Sequence, residues 1–269
     1  MIDEASMVNE SIAQDILSFD IPIIALGDMN QLPPVFGKPY FLNEDNIDYE
    51  LKTIMRQNEN DPIIWLAHQV LENEPLKYGQ YGESSVIRKS DINEYILKES
   101  DIVLTCTNSL RNKINKIFRE NILKISDLDW PEEGEKIICR KNNWKRHIQH
   151  LLYLTNGMTG TIDYIDQSTF KNDSMVIDFK PDFTKKKFKN IRINYSKLLT
   201  PEVMDEVSNM YLKDDIFEFA YAITVHLSQG SQWDNVVFML EKTKFNSEME
   251  KKLKYTAITR AAKRITIIQ

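Results

Sequence analysis

Short apolar runs that end abruptly in polar loops recur along the chain, and segments with helical periodicity follow them. Residues 21–26 (IPIIAL) break at Gly27 and Asp28, and residues 101–106 (DIVLTC) end in a similar way. After the second run, Ser109 can cap a helix whose apolar side chains lie on one face. Runs that are apolar on both faces and alternate with helices are typical of a parallel sheet that is covered on both sides. The pattern therefore predicts an α/β fold.

The end of the chain repeats this alternation of strands and helix. Residues 217–225 (FEFAYAITV) and 235–240 (NVVFML) are continuous apolar runs and predict buried strands. The segment from Glu248 to Ala262 has helical periodicity, and residues 264–268 (RITII) predict a last strand. We expect these elements to belong to the same parallel sheet.

The middle of the chain has a different pattern. Between Glu135 and about Arg192 the sequence reads as short strands joined by turns such as Asn156-Gly157 and by charged loops. This pattern predicts a small β-rich insertion within the α/β domain. The predicted strands are residues 137–140 (IICR), 150–154 (HLLYL), 160–165 (GTIDYI) and 174–179 (SMVIDF).

The charge is unevenly distributed along the chain. The net charge of −6 argues against a protein that binds nucleic acid by being basic throughout. Residues 134–200, however, contain 13 Lys and Arg against 6 Asp and Glu, a balance of +7 that leaves −13 for the rest. This region is a candidate for phosphate contact. Its basic cluster KKKFK (185–189) is equally consistent with a solvated loop.

The bulk composition indicates the class of protein. The chain has 269 residues, 42% hydrophobic and 28% charged, so it can bury the core of one large domain or two modest ones. No apolar run is as long as a transmembrane helix, and the start MIDEASMV lacks the features of a signal peptide. We therefore expect a cytoplasmic protein without a membrane partner. Two cysteines and four histidines in no ligand-type spacing predict neither a disulfide nor structural zinc.

An Asp-Glu pair, Asp3 and Glu4, follows the apolar residues at the start of the sequence. At the end of a buried strand such a pair can serve phosphoryl transfer, because the first carboxylate binds Mg²⁺ and the second can take a proton from the attacking water. Both are therefore candidate catalytic and metal-binding residues. By themselves they are also consistent with a solvated surface pair.

Residues 27–35 (GDMNQLPPV) follow the predicted strand at 21–26 and carry a polar side chain, Gln31, that could sense a phosphate. They resemble motif III of superfamily 1 helicases, and they lie at the expected distance after a motif II of sequence DEAS. The chain is thus similar to the C-terminal region of DNA helicases of the RecD/Dda type. The resemblance implies ATP and Mg²⁺ as cofactors, and it assigns Gln31 to the γ-phosphate and Gly27 and Asp28 to the nucleotide site.

Two further segments resemble the family's arginine-bearing motifs. LKTIMRQ, with Arg56 and Gln57, is similar to motif IV, and YTAITRA, with Tyr255 and Arg260, is similar to motif VI. The resemblance assigns both arginines to the γ-phosphate, where a fixed charge and a planar fork suit the charge that develops in phosphoryl transfer. It assigns Gln57 and Tyr255 to the nucleotide site. For Tyr255, ordinary helix packing is the alternative.

The segment YAITVHLSQGSQ (221–232) resembles motif V, a strand and loop that contact both single-stranded DNA and nucleotide in the family. The resemblance assigns Thr224 and His226 to DNA phosphates. Gln232 stands where the family has an acidic residue that meets the nucleotide sugar, so an amide would make that contact here. The remaining assignments are Ser228 and Gln229 to DNA, Gly230 to the nucleotide side of the loop, and Thr107 and Asn108, after the strand at 101–106, to DNA.

The β-rich insertion also has a counterpart in the family. Residues 134–138 and 155–162 resemble the small β-barrel that is inserted in the second motor domain of RecD-like enzymes. Its basic and aromatic side chains could follow a DNA strand by charge and by stacking, and a solvated hairpin is the competing interpretation. The candidates are Arg140, Lys141, Trp144, Lys145 and Arg146.

The resemblance implies a division into domains. The expected fold is a RecA-like, parallel-sheet motor domain with a small β-barrel-like insertion, preceded by the C-terminal part of a first RecA-like domain. The first part covers residues 1–98 with linking helices, the second motor domain 99–133 and 201–269, and the basic insertion 134–200.

A P-loop is the one expected motif that the sequence lacks, since no G-x-x-x-x-G-K-[ST] occurs in it. We therefore expect a P-loop on an upstream segment or partner chain, and negligible ATP hydrolysis by this chain alone. Without the central strands of the first sheet, residues 1 to about 60 should expose apolar edges.

The function implied by the resemblance is ATP-driven translocation on single-stranded DNA in the 5′ to 3′ direction, in replication, recombination or repair. One alternative is a non-catalytic protein that binds single-stranded nucleic acid on a helicase scaffold. Another is an RNA helicase of the same superfamily. Nucleotide hydrolysis would distinguish the first alternative, and a comparison of DNA with RNA binding would distinguish the second.

Overall fold

The computed structural model describes residues 1–42, 47–51, 61–148, 152–199 and 213–269. These residues form two compact units, Met1–Asn108 with Ile223–Gln269, and Ser109–Ala222. The helices of the described ranges are α1 (Glu10–Leu17), α2 (Pro62–Leu71), α3 (Glu94–Lys98), α4 (Asn108–Ile117), α5 (Tyr195–Leu199) and α6 (Ser247–Ile258). The strands are β1 (Gly79–Tyr81), β2 (Ser84–Ile87), β3 (Ile102–Thr105), β4 (Lys136–Cys139), β5 (Asn143–Ile148), β6 (Leu152–Leu154), β7 (Thr159–Lys171), β8 (Ser174–Pro181), β9 (Phe188–Asn194), β10 (Phe217–Phe219), β11 (Ala222–Thr224), β12 (Trp233–Met239) and β13 (Ala261–Ile268).

The first unit is built on a six-stranded sheet of order β1-β2-β13-β12-β3-β11. Strands β2, β13, β12 and β3 run parallel to one another. Continuous apolar sequence buries the central strands on both faces: all four residues of β3 and the last four of β12 are buried, and Leu104 and Phe238 are fully buried. The parallel sheet is confirmed, as are the strands predicted within 101–106, 235–240 and 264–268.

Four helices of the first unit begin at side-chain caps, and in α3 Asn93 accepts from the Ile96 amide. Asn9 accepts from the Ile12 amide at the start of α1, and Asn246 accepts from the Met249 amide at the start of α6. Asp61 does the same for α2, which also has proline in its first turn. The predicted helix at 248–262 is confirmed in type, but it ends at Ile258, and the residues that follow Arg260 already belong to β13.

The run at 21–26 differs from its prediction. It has only an isolated parallel bridge, Ile2 to Ala25, in place of a full strand. Its apolar side chains are consequently exposed, by 63% at Ile21 and 64% at Ile24. Exposed apolar side chains in the first 60 residues were expected, and Phe19, Val35 and Phe36 are further examples.

The second unit contains a five-stranded sheet of order β10-β4-β7-β8-β9 in which each neighbouring pair is antiparallel. A separate two-stranded ribbon pairs β5 with β6. The β-rich insertion is therefore present, although two of its strands, β5 and β9, were not predicted. The sequence of β5 is NWKRHI, which has no apolar alternation, so its pattern gave no strand signal.

The predicted single strand at 217–225 is wrong, because the structure divides it into two. Strand β10 pairs with β4 in the five-stranded sheet, whereas β11 belongs to the six-stranded sheet. Ala220 and Tyr221 lie between them, and both are buried. A run that is apolar throughout gives no indication of where the chain leaves one sheet for another.

Glycine permits a close approach between two strands of the second unit. A Cβ added at Gly160 in β7 would lie 2.2 Å from the carbonyl oxygen of Lys180 and 2.6 Å from the Phe179 ring in β8. Any side chain at this position would push the two strands apart. Both cysteines, Cys106 and Cys139, are buried free thiols, and burial raises their pKa, to about 11 for Cys106. None of the helices in the described ranges combines the length and the apolarity that crossing a membrane would need.

Candidate nucleotide and nucleic-acid sites

The Asp3-Glu4 pair forms a tight turn at the surface of the first unit. Glu4 adopts a left-handed backbone conformation (φ 52°), and its amide donates to Oδ1 of Asp3 at 2.9 Å. The Ala5 amide donates to the Leu26 carbonyl at 2.8 Å. A Cβ at Gly27 would lie 3.1 Å from the Ala5 nitrogen, so the absence of a side chain at Gly27 allows this close contact. The two acidic side chains are accessible to a ligand, Asp3 being exposed and Glu4 half-buried.

Leu32 belongs to the segment that resembles motif III, and both its backbone amide and its carbonyl form hydrogen bonds. The Leu32 amide donates to Oγ1 of Thr256 in α6 at 2.9 Å, in a buried position. The Leu32 carbonyl accepts from Nε2 of Gln229, in the loop after β11, at 2.8 Å. Leu32 itself is fully buried. Three segments that are far apart in sequence, resembling motifs III, V and VI, therefore meet at one residue.

Asp28 and Tyr255 form a second connection between the same segments. The Tyr255 hydroxyl donates to Oδ2 of Asp28 at 2.8 Å, while Oδ1 of Asp28 accepts from the Asn30 amide at 2.9 Å. Burial, reinforced by the Asp28 carboxylate, raises the pKa of Tyr255. The tyrosine therefore remains protonated and keeps its role as a donor at neutral pH.

Gln31 lies on a cavity of about 350 Å³, more space than one water needs. Its Oε1 atom and the hydroxyl of Ser6 are both buried, and neither has a hydrogen-bond partner among the described residues. Buried polar atoms are normally paired, so an unpaired acceptor and hydroxyl at one cavity favour a polar occupant. The described lining residues are Ser6, Met29, Asn30, Gln31, Pro39, Leu42, Leu71, Glu248, Lys251 and Lys252.

Arg260 is buried at the C-terminal end of α6, with 7% of its surface exposed. Its Nε donates to the Thr256 carbonyl at 3.2 Å, and Nη1 donates to the Ser231 carbonyl at 3.2 Å. A cation bound to the last carbonyls of a helix is favoured by the helix dipole. The guanidinium thereby connects the end of α6 to the loop after β11.

The loop after β11 is ordered by short-range hydrogen bonds. The Ser228 hydroxyl, which is buried, donates to the Val225 carbonyl at 2.8 Å. Gly230 has a left-handed backbone (φ +76°) that favours glycine. His226 lies in the helical turn of this loop with its ring 6.3 Å from that of Phe245, and burial lowers its pKa. His226 is therefore neutral at pH 7 and can contact a phosphate as a hydrogen-bond donor and not as a cation.

Thr107 and Asn108 follow β3 at its C-terminal end. The Thr107 carbonyl accepts from the hydroxyl of Thr105, a buried residue, at 3.2 Å. Asn108 is exposed and is the first residue of α4. Thr224 is half-buried at the end of β11, and its hydroxyl accepts from the Leu227 amide at 3.4 Å. Gln232 is exposed just before β12.

In the second unit, Arg140 forms an ion pair with a buried carboxylate. Its Nε lies 3.2 Å from Oε1 of Glu218, while Arg111 reaches the other oxygen of Glu218 at 2.7 Å. Lys141 is half-buried beside it. Trp144 is 63% exposed, and its ring packs edge-on against Tyr153 at 5.7 Å. Of Arg140, Lys141 and Trp144, Trp144 is the side chain most open to solvent.

Comparison with known proteins adds independent information. Residues 219–268 match the model of the UvrD-like helicase C-terminal domain family. The chain is 24% identical over 285 residues to the ATP-dependent RecD2 DNA helicase of Deinococcus radiodurans, and the match covers 98% of the chain and 35% of that protein. It is 25% identical over 321 residues to the ATP-dependent DNA helicase Pif1 of Campylobacter jejuni, with 97% and 66% covered. For three of the curated relatives that it matches, the chain spans from 17% to 66% of their length.

The fold is similar to that of a solved Pif1 structure. The structure of Bacteroides Pif1 bound to single-stranded DNA superposes with a TM-score of 0.57 at 18% identity, covering 98% of this chain and 69% of that one. This likeness, together with the parallel sheet, corresponds to a RecA-like fold. In sequence, the chain is similar to the C-terminal regions of superfamily 1 helicases.

Of the residues that the sequence assigns to the site, Arg56 and Gln57 lie outside the described residues. Two groups of the other assigned residues in the first unit are connected by contacts. Gln31, Asp28, Gln229, Tyr255 and Arg260 belong to segments that contact one another, whereas Asp3 and Glu4 are connected to them through the backbone at Gly27.

The sequence alone did not indicate two residues that make these contacts, Thr256 and Glu218. Thr256 supplies the acceptor for Leu32, and it follows Tyr255 directly in the segment that resembles motif VI. Its hydroxyl on an otherwise apolar stretch of α6, TAI, was the available signal. Glu218 forms an ion pair with Arg140. The feature of the sequence that could have indicated it is that Glu218 is the one acidic residue in the apolar run at 217–225.

Proposed function

We propose that this chain is the part of an ATP-dependent DNA helicase that couples nucleotide hydrolysis to movement along single-stranded DNA. The observation that carries the proposal is the double hydrogen bonding of Leu32, to Thr256 and to Gln229. It connects the segment assigned to the γ-phosphate with the loop assigned to DNA. A shift of either segment changes the surroundings of the other, which is the physical requirement for coupling two sites.

The nucleotide side of the proposal rests on Asp3, Glu4 and Gln31, with Arg260 and Arg56. Two accessible carboxylates suit Mg²⁺, which usually keeps several waters and takes one or two carboxylates from the protein. When bound, Mg²⁺ neutralises charge on the phosphates of ATP. Asp3 would bind the ion and Glu4 would take the proton of the attacking water. The unpaired Oε1 of Gln31 is available to orient that water or a phosphate-bound group.

Further residues would form the surroundings of the nucleotide. Gly27 and Asp28 precede Gln31, and Asp28 is tied to Tyr255 by a hydrogen bond. Arg260 now binds the Ser231 and Thr256 carbonyls, and it would have to exchange at least one of them to reach a phosphate. We assign Gln57, Gly230 and Gln232 to the same site through their motifs.

The DNA side of the proposal rests on the ends of β3 and β11 and on the second unit. Thr107, Asn108, Thr224 and His226 would meet phosphates, with Ser228 and Gln229 shaping the loop. In the second unit, Trp144 has an exposed ring on which a base can stack, a contact worth about 1–3 kcal/mol. Lys141 and Arg140 would add charge, although Glu218 already neutralises part of it at Arg140.

The domain organisation we propose is a first RecA-like part (1–98), a second motor domain (99–133 and 201–269) and a barrel-like insertion (134–200). An isolated parallel bridge, Ile193 to Asp215, supports the barrel, because Asp215 lies two residues before β10, the strand at the other edge of the five-stranded sheet. We further propose that an upstream segment or partner chain supplies the P-loop. The exposed apolar side chains of residues 19–36 support a neighbouring surface there.

We extend the proposal to 5′ to 3′ translocation, to a cytoplasmic location, and to replication, recombination or repair. The support is the sequence similarity to the RecD2 and Pif1 DNA helicases. Direction is measurable by the release of a labelled oligonucleotide from partial duplexes that carry a 5′ or a 3′ single-stranded tail.

The proposal is tested by two measurements on purified protein. ATP hydrolysis is measured for the chain alone and for the chain joined to an upstream P-loop segment, and binding is measured for DNA and RNA strands of one sequence. We expect hydrolysis in the joined form alone and binding to DNA. DNA binding without hydrolysis in either form would favour a non-catalytic binding protein, and preferential binding of RNA would favour an RNA helicase.

A further inference from the structure

Five lysines of the second unit surround a cleft of about 460 Å³ at the surface. Lys180 belongs to β8, Lys189 to β9, and the loop between these strands supplies the rest. The cleft also touches β5 and β7, through Ile148 and Asp163. We call this surface the lysine cleft, and its described lining consists of Ile148, Asp163, Lys180, Lys185, Lys186, Lys187 and Lys189.

The charge of the lysine cleft is largely uncompensated. Lys187 lies 2.5 Å from Asp163 and 3.4 Å from Asp178, so the one acidic residue of the lining is engaged by a single lysine. These two carboxylates raise the pKa of Lys187 and keep it charged. In the described residues the other four lysines form no ion pair, and all four are exposed. Like charges brought together at a concave surface attract an anion with several charges.

The β5-β6 ribbon borders the lysine cleft and adds an aromatic surface. Nη1 of Arg146 in β5 donates to the Lys189 carbonyl at 3.4 Å, which connects the ribbon to β9. Ile148, at the end of β5, lines the cleft directly. Trp144 lies two residues before Arg146 on the same strand and is 63% exposed. The exposed ring therefore lies on the strand whose last residue lines the lysine cleft.

We propose that the lysine cleft binds the phosphate backbone of a single nucleic-acid strand, with Trp144 stacking against a base of that strand. This inference rests on the proposed function, which supplies single-stranded DNA as the ligand. It goes beyond the proposed function by naming the residues that bind that strand. A row of phosphates can form ion pairs with the four lysines that have no ion-pair partner among the described residues, and a base can stack on the exposed indole of Trp144. An acidic peptide would interact with the lysines but would leave the indole without a stacking partner. The lysine cleft, and not Arg140, is then the main basic contact of the second unit.

The test is the binding of a labelled oligo-dT to the full chain, followed by fluorescence anisotropy at several salt concentrations. The variant K185Q/K186Q/K189Q removes three charges of the lysine cleft. The matched control K113Q/K116Q/K171Q removes three charges from exposed lysines of the same unit that do not line it. Thermal melting of each variant confirms that it is folded.

We expect the cleft variant to bind at least about tenfold more weakly at 0.1 M salt, and its slope of log K against log salt to fall by about 2, since each phosphate contact contributes roughly 0.7 for a single strand. The control should keep the wild-type slope. W144A should weaken binding without changing the slope, because stacking releases no counterions. Equal affinity and slope for wild type and cleft variant would overturn the proposal.

Two further outcomes separate this inference from the proposed function. Competition by poly-glutamate as effective as that by oligo-dT would overturn the assignment to a nucleic-acid strand and leave the helicase proposal unaffected. If the cleft variant loses DNA binding but wild type joined to the P-loop segment hydrolyses no ATP, the lysine cleft stands and the motor function fails.

Discussion

The hydroxyl of Tyr255 donates to the carboxylate of Asp28 at 2.8 Å, across 227 positions of the chain. The two residues belong to segments that resemble motifs VI and III, which also meet at the hydrogen bond between Thr256 and Leu32. The first contact is partly exposed and charged, and the second is buried and neutral. They can therefore be tested separately.

Removing the hydroxyl of Tyr255 should weaken this connection. Y255F leaves the half-buried Asp28 without one of its donors, and we expect the free energy of unfolding to fall by about 1 kcal/mol, the typical net contribution of one hydrogen bond, because water can partly replace the lost donor. Urea unfolding measures the change. Y95F, at an exposed tyrosine of the same unit, is the control and should leave the midpoint unchanged.

The buried contact at Leu32 should cost more to remove. T256V replaces the acceptor of the Leu32 amide by a methyl group, which leaves a buried donor unpaired at a cost of about 1–3 kcal/mol. T256S keeps the oxygen and loses only a methyl group, so it should retain most of the stability. Equal destabilisation by both substitutions would show that packing, and not the hydrogen bond, makes residue 256 important.

The stability of the second unit should depend on a buried ion pair between Arg119 and Glu135. Arg119 donates to Glu135 at 2.7 Å and to the carbonyls of Leu128 and Trp130, and its guanidinium lies 4.3 Å from the centre of the Phe219 ring. R119M leaves the Glu135 carboxylate buried and unpaired, so we expect a loss of about 3–5 kcal/mol in denaturant unfolding. The exposed arginine in R192M provides the comparison and should change stability by less than about 0.5 kcal/mol.

Gly160 should tolerate no side chain. G160A would bring a Cβ to 2.2 Å from the Lys180 carbonyl, and the strands must separate to relieve the clash. We expect a loss of about 3 kcal/mol, at the upper end for overpacking. G134A has no atom within 4 Å of the added Cβ but a positive φ, so it should cost about 1 kcal/mol from backbone strain. A smaller effect for G160A than for G134A would mean that the two strands are farther apart than described.

Stability should depend on pH through His226. Burial lowers its folded-state pKa below the ordinary value of about 6.5, so the unfolded chain takes up a proton first as pH falls. The free energy of unfolding therefore decreases as pH drops below about 6.5, by at most about 1.4 kcal/mol per pH unit, until the folded pKa is reached. H226Q should remove this contribution, whereas H68Q, at an exposed histidine, should retain the wild-type slope.

The sequence predicted the elements that are apolar on both faces and bounded by polar residues. Strands β3 and β12 are of this kind, whereas helix α6 was predicted from its helical periodicity and β13 from its apolar end at 265–268. It did not predict β5, whose side chains are polar and form a ribbon apart from the main sheets, or the division of residues 217–225 between two sheets. Both depend on contacts that a local pattern does not contain.

The motifs gave the order of the candidate residues but not their partners. The sequence named Asp28, Gln229 and Tyr255 one by one, and only the structure shows which group each of them binds. Arg140 was predicted to contact DNA because of its charge, but it forms an ion pair with Glu218, which is 78 positions away in the sequence. Pairings over such distances follow from the tertiary fold, so residue type and spacing do not reveal them.

The most direct test of coupling between nucleotide and DNA is the rate of ATP hydrolysis by the chain joined to a P-loop segment, measured with and without single-stranded DNA. The account predicts that DNA raises the rate and that R260A abolishes hydrolysis while the folded protein still binds DNA. A rate that neither DNA nor R260A changes would contradict it.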